Sequence, residues 1–422
     1  MKEKYINISN DELYLIAKNT NESVEYYNFR KKLKNNFNSR NISFEDKKTK
    51  NLKLDFNIKN FVYDKCSKKD YKKLFSFNND DLVIIQKNNK IEYFNIPEKY
   101  KDKIIIKNIF QSLNEKKIKN FSEISLLNDI YKYLHYIFIN SGIYIEVLEN
   151  CEIDIPMKYY VFIEDNFSLY NHVFLKLNKN SKLNFIENYI SSFSDKPFNI
   201  ITEAITEENS HLLYDSVSNI KNKEYGYISH FGKTLTNSTI DWNIVAIDES
   251  NIYYDNDTKI KEKNSTSNIN VVTIGAKNKQ HYFNTELTNI GEKTSGNILQ
   301  RGILLEYSDI TFNGVGIIIK GAHDSKSFQS LKLMSLSKNA KAKTNPILLI
   351  DENDVKAGHG ASIGKINEEQ IYYLNSRGIS TKDANFLLSS GFIFEIIHKI
   401  KNKEIKEYII ENIKKIIRKS EF

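Results

Sequence analysis

The residues able to do chemistry gather in one short stretch, DVKAGHGASIGKI, residues 354 to 366. Three glycines and a lysine suggest a loop that grips phosphate. A histidine between two of those glycines suggests a metal ligand, and a plain turn is the third reading. A Walker A loop needs glycine, four residues, glycine, lysine and then a hydroxyl residue, because its backbone amides close on phosphate and its hydroxyl holds Mg²⁺. Gly364 and Lys365 fit, but His359 stands where the first glycine belongs and Ile366 where the hydroxyl belongs. The dinucleotide fingerprint fails as well, since Gly358, Gly360 and Gly364 give GxGxxxG, one residue too long. No nucleotide-hydrolysing site is therefore legible in the chain. His359 remains. Flanking glycines allow positive φ and close backbone approach, which would expose the imidazole, and a neutral imidazole nitrogen suits iron, copper or zinc. The residues alone leave His359 open between a metal ligand and a histidine capping a turn.

Other constellations are thinner. Cys66 and Cys151 are the only cysteines, and neither belongs to a CxxC, so a zinc ribbon, a thioredoxin-type site and a one-chain four-cysteine iron–sulfur site are excluded. There is no GxSxG and no HExxH. Asp351, Glu352 and Asp354 are adequately explained as an exposed turn after PILLI. His172, His211, His230, His281 and His323 are scattered through strand-like sequence, where stacked positions could bring some together.

The elements that must carry these residues follow from pattern. The 422 residues are 40% hydrophobic and 12% aromatic, which describes a folded chain with a large core. The net charge of +8 comes from 61 basic and 53 acidic residues interleaved along most of the chain, a solvated surface rather than a nucleic-acid-binding stripe. No apolar run reaches transmembrane length and the start, MKEKYINISNDELYL, lacks a signal-peptide core, so a cytoplasmic protein without membrane insertion is expected.

From Gly142 to about residue 366 the apolar period is two, in short runs such as IYIEVLE, HVFLKL, KLNFIENYI, HLLYDSV, NIYYD, GIIIK and PILLI. A motif of serine, an aliphatic residue two positions on and an aromatic residue four positions on recurs as SKLNF at 181, SHLLY at 210, STIDW at 238, SNIYY at 250 and SDITF at 308, with a degenerate KQHYF at 279. The steps are 29 and 28 residues, then twice 29 from 250 to 308. The step of 12 from 238 to 250 implies two strands per coil. A fixed period in this range marks a stacked repeat, and a β-solenoid buries one aliphatic and one aromatic ladder. Helical spacing appears on either side. NDELYLIAKNTNESVEYYNFRKKLKNNF predicts helix with Asn10 as cap, and FSEISLLNDIYKYLHYIFIN (121–140) predicts a helix capped by Ser122 and stopped at Gly142. After the strands, Asn367 with Gln370 reads as a capping box with Gly378 as stop, and Ser380 caps a helix stopped at Gly391. One long helix then follows to the end of the chain, with Ile405, Ile409, Ile413 and Ile416 as its apolar stripe, a face for packing or a partner rather than for a membrane. The expected division is a helical and mixed N-terminal region at 1–145, a parallel β-helix core at 146–365 and a C-terminal helical region at 366–422.

PILLIDENDVKAGHGASIG, then EEQIYYLNSRGIS and SSGF, in that order, closely resemble the C-terminal part of the SufB/SufD family of the SUF iron–sulfur cluster assembly system. Weaker similarity runs upstream through SGNILQRGIL (295–304) to NSGIYIEVLEN (140–150), so the resemblance covers roughly residues 122 to 400. HGA within GHGASIG resembles the SufD branch, where SufB has HEA, and the chain has no cysteine after Cys151 to match the cluster-anchoring cysteine of SufB. Ala357 stands where some SufD relatives have a cysteine. The resemblance implies a mostly β fold, a right-handed parallel β-helix between helical terminal regions. It also implies a non-catalytic scaffold subunit that meets a SufB-type paralogue through the β-helices and binds a SufC-type ATP-binding-cassette ATPase through residues 366–422. His359 would lie at the seam between paralogues. An iron–sulfur cluster would be held there only transiently, with reduced flavin associated with the complex and no cofactor held stably by this chain alone. A homodimer in isolation is compatible with this. The rivals are a SufB-like primary cluster scaffold and a β-helix enzyme acting on polysaccharides, the latter disfavoured because no array of charged residues lines a strand face. Nucleic-acid binding is not expected.

Overall fold

The computed structural model describes residues 9–39, 78–115, 130–164 and 167–420. Two sheets face each other. One holds β1 (Leu82–Lys87), β2 (Lys90–Asn95), β5 (Met157–Ile163), β7 (Lys182–Ser191), β9 (His211–Asn219), β11 (Thr239–Ala246), β13 (Thr266–Gly275), β15 (Ser295–Leu304), β17 (Ser325–Ser335) and β19 (Val355–Lys365). The other holds β3 (Ile104–Asn108), β4 (Ser141–Val147), β6 (Tyr170–Leu177), β8 (Phe198–Thr206), β10 (Lys221–Thr234), β12 (Glu249–Ile260), β14 (Gln280–Asn289), β16 (Asp309–Ile318) and β18 (Lys341–Ile350). From β4 onward the chain alternates between sheets and the neighbouring strands within each are parallel, which is a β-solenoid of about eight turns. The sheets begin upstream of residue 146, with β1 parallel to β5 and β4 parallel to β6.

The repeat read from the sequence is the wall of this solenoid. Phe185, Tyr214 and Trp242 are register partners on β7, β9 and β11, with ring centroids 5.8 and 4.7 Å apart. Tyr254, Phe283 and Phe312 form the facing column on β12, β14 and β16 at 4.3 and 5.5 Å. The 12-residue step is the passage from one sheet to the other within a coil, and KQHYF falls in register. The serine of the motif closes a corner: Ser181, Ser210, Ser238 and Ser308 each donate to the carbonyl three residues back, at 2.6 to 2.8 Å. Asparagines precede three of these serines in left-handed conformation, at Asn180, Asn209 and Asn237, a backbone region that asparagine tolerates because its short amide bonds locally. Their amides stack from coil to coil at 3.0 and 3.1 Å.

The two ends of the stack differ. At the N-terminal end β2 lies antiparallel on β1 and β3 antiparallel on β4, so direction reverses and the winding stops. At the C-terminal end β18 and β19 are edge strands on the parallel stack.

Helices cover the outer faces. α1 (Asn10–Thr20) starts at Ser9, whose hydroxyl forms a capping box with Glu12, so the cap is Ser9 and not Asn10. α2 (Val24–Ser39) carries Arg30, fully buried, which pairs with Glu22 and donates to the carbonyls of Ile137 and Ile139 at the end of α4 (Ile130–Phe138). A short α3 (Ile109–Asn114) lies between. The expected cap Ser122 falls outside the described residues. Gly142 is not a helix stop: it lies in β4, where a Cβ would come within 2.0 Å of the His172 carbonyl oxygen, so close strand packing is what demands glycine there.

After β19, α5 (Glu368–Ser376) is capped by Asn367, which accepts from the amides of Glu369 and Gln370. Gly378, with φ of 83°, ends it in a Schellman turn. α6 (Thr381–Ile397), capped by Ser380, runs straight through Gly391, so that glycine is not a stop. Nor is the remainder one helix. The chain breaks after Ile397 and restarts as α7 (Lys403–Lys419) under the cap Asn402, whose side-chain Oδ1 accepts from Ile405 N. The turn folds α7 back so that Ile405, Ile409, Ile413 and Ile417, with Ile416 partly buried beside them, join Ile393, Ile396 and Ile397 against Val217, Val245, Val272 and Ile303 on the outer face of the ten-stranded sheet. No helix among the described residues is long and apolar enough to cross a membrane.

Candidate assembly interface at the open end of the solenoid

His359 is exposed in the middle of β19. The stretch that the residues left open between a phosphate loop, a metal site and a turn is a strand. Gly358 and Gly360 have ordinary extended backbone, not the positive φ that flanking glycines permit. Their effect is steric. A Cβ at Gly360 would meet nothing within 4 Å and one at Gly358 would only touch the Phe328 ring at 3.5 Å, so the glycines keep the surface low on either side of the imidazole. Because His359 is the register partner of Gln329, it shares the face on which Gln329 points into the solenoid. The imidazole therefore stands over the open mouth of the lumen. Gln329 itself donates to the Ile347 carbonyl at 2.8 Å, tying β17 to β18 beneath it.

Apolar side chains are exposed at this end, Ile363 on the face that His359 shares and Ile347 and Leu349 on the outer face of β18. Ile350 of β18 and Phe328 of β17 are exposed as well. An exposed pair of parallel edge strands with apolar side chains is a template for another chain, which soluble proteins normally blunt or cover. The opposite end is already blunted by β2 and β3. The surface beside His359 is open at Gly360 and Gly364, where an added Cβ would meet nothing within 4 Å. Among the described residues no group of three or more His, Cys, Asp or Glu side chains is placed to hold a metal ion.

The other histidines have their own partners. His172 faces His135 of α4 at 3.0 Å and Glu203 at 3.3 Å. His230 bonds Asn256 at 2.8 Å, His281 bonds Thr273 at 2.7 Å, His211 bonds Asp241 at 2.9 Å and His323 sits 3.3 Å from Glu352. Burial lowers His172 to about 3 and both His230 and His281 to about 4, so these three are neutral internal groups. Cys151 is half-buried at a corner and Cys66 lies outside the described residues. Asp351, Glu352 and Asp354 form the turn between β18 and β19. The Gly321 amide, first among its donors, holds the Glu352 carboxyl below its usual range.

Two arrangements were not visible in the sequence. Inside the lumen, Glu187 accepts from Tyr189, Tyr214 and Thr202, with burial raising its carboxyl. Its inward position in the alternating run KLNFIENYI was the available signal. Outside, Arg301 of β15 is only 4% exposed and binds Glu395 of α6 at 2.8 Å together with the Ser330 carbonyl of β17 at 3.0 Å. Nothing local in SGNILQRGIL announces that role.

Comparison with known proteins fits this architecture. The profile described as SUF system FeS cluster assembly, SufBD core domain, matches residues 160–392, more than half of the chain. The iron-sulfur cluster assembly protein SufD of Bacillus subtilis (strain 168) is 29% identical over 351 residues, covering 81% of this chain and 80% of its own. SufD of Escherichia coli (strain K12) is 29% identical over 156 residues, 37% of each chain. The SufBD family protein ycf24 of Antithamnion sp. is 27% identical over 233 residues, 53% of this chain and 78% of its own. A solenoid with one open edge and this match define the class: the chain belongs to the SufB/SufD family of SUF-system iron–sulfur cluster assembly proteins. Within that family it is a SufD-type member.

Proposed function

We propose that the chain is a non-catalytic, cytoplasmic scaffold subunit of a SUF complex, divided as 1–145, 146–365 and 366–422, whose open solenoid end forms a seam with a SufB-type paralogue. The single observation that carries this is the asymmetry of the stack: antiparallel strands close one end, while at the other the outer edges of β18 and β19 have no strand beside them, with His359 in the middle of β19. The cluster is cargo. Its thiolates come from the paralogue, and His359 serves as an auxiliary imidazole ligand during assembly, weaker and sensitive to pH because only neutral imidazole binds iron. The motor is a SufC-type ATP-binding-cassette ATPase bound to residues 366–422. In support, α5 buries none of its side chains, and Tyr372, Tyr373 and Leu387 are exposed.

Co-expression with the neighbouring genes and replacement His359→Ala test this together. The variant is expected to copurify with the ATPase and the paralogue in unchanged proportion while cluster formation falls about tenfold, the scale of losing a supporting ligand. Undiminished cluster formation removes His359 from the mechanism. The chain reconstituted alone with iron and sulfide is expected to hold no stable cluster; a stable one favours the primary-scaffold reading.

A further inference from the structure

The proposed reading, on which this inference rests, puts a seam at β19 and a motor beyond it. Between them the chain is short: Lys365 ends β19 and Asn367 already caps α5. β19 and its neighbour are held very differently. No residue of β19 is buried, and among the described residues its side chains make no hydrogen bond or ion pair, so the ladder to β17 is its main hold on the body. β17 buries Ser325, Ser327, Leu331 and Leu333 in the solenoid. It is also clamped from outside. Arg301 donates one nitrogen to the Ser330 carbonyl at 3.0 Å and hydroxyl at 3.2 Å, and the other to Glu395 at 2.8 Å. Ser330 is the register partner of Gly360, one residue from His359. Glu395 belongs to α6, which is packed on β13 and β15 through its buried isoleucines.

We propose that β19 is a strap that a pull on α5 peels from β17, and that Arg301 is the positioning residue that keeps β17 in place while it does so. The guanidinium fork ties β17 to the α6–α7 pair, so the weakest line in the terminal coil runs between β17 and β19. Movement of α5 then turns or withdraws His359 without unwinding the coil below. A guanidinium suits this because its planar fork holds a carboxylate on one side and backbone on the other, which a lysine ammonium does not reproduce.

Hydrogen exchange read peptide by peptide tests the strap and the clamp separately. In the isolated chain, amides of 355–365 are expected to exchange at least about tenfold faster than those of 325–335. Glu395→Ala and Arg301→Lys are each expected to speed 325–335 about tenfold and leave the strands around 239–275 unchanged. Equal protection of the two strands in the parent chain, or unchanged protection of 325–335 in both variants, overturns the proposal. In the complex with the ATPase, a non-hydrolysable ATP analogue is expected to speed 355–366 alone in the parent and 325–335 as well in the variants. Joint movement of both strands in the parent, or movement of neither, overturns it. Failure of any ATPase to bind refutes the functional reading instead, and the isolated-chain measurements still decide the clamp.

Discussion

Gly232, Trp242 and Thr258 come from β10, β11 and β12, so they meet only if the chain is wound as described. A Cβ built on Gly232 would lie 2.7 Å from Thr258 Oγ1, 2.9 Å from its Cγ2 and 3.1 Å from Cζ2 of Trp242, and the indole N–H holds Thr258 Oγ1 at 3.1 Å. Gly232→Ala therefore overpacks the lumen and is expected to cost about 1–3 kcal/mol. Trp242→Phe removes one of the three crowding atoms and one buried hydrogen bond, for about 1–2 kcal/mol. Together they are not additive. Without the indole, Thr258 is free to rotate away from the new methyl, so the double variant is expected to fall short of the sum by at least about 0.5 kcal/mol, as contacting residues do. Trp242 is the only tryptophan, so urea unfolding is followed by far-ultraviolet circular dichroism rather than fluorescence. Additivity within error, or a Gly232→Ala chain as stable as the parent, would refute the reasoning that these three strands share one packed layer.

Burial, as the leading cause, pushes Asp248 from 3.8 to about 6, against hydrogen bonds from Tyr254, the Ile220 amide and Ser218. The folded state thus holds this proton more tightly than the unfolded one, so the contribution is full below about pH 4 and is lost as pH rises through about 6. Between those limits the parent is expected to lose on the order of 1–3 kcal/mol relative to Asp248→Asn, measured by urea titrations at each pH. Gly391 lies inside α6 with nothing within 4 Å of an added Cβ, so Gly391→Ala is expected to stabilise by about 0.5–1 kcal/mol, read as a raised unfolding midpoint.

The fold was legible where geometry repeats. Serine, aliphatic and aromatic residues at fixed steps record the corner and the two inward positions of each coil, and every coil states them again. Single events were harder. Gly142 and Gly391 carry the same letter as Gly378, but one answers a carbonyl across a strand pair, one answers nothing and only Gly378 turns a helix, differences that depend on distant backbone. The break before Asn402 was hidden because Lys and Ile continue across it at helical spacing. His359 was visible as a residue between glycines, whereas its exposure depends on being in the last coil, a property of the whole stack. Arg301 and Glu395 stand 94 positions apart in sequence and meet only after α6 folds back onto β15.

The central claim is that the open end, and not the capped end, is the seam. A photo-cross-linking residue placed at Ile363 on β19, with Ile91 on β2 as the control, both exposed, tests it in cells expressing the neighbouring genes. Adducts to a paralogous subunit from position 363 and none from position 91 are the predicted result. No such adduct from 363, or adducts of equal yield from both positions, would contradict the account.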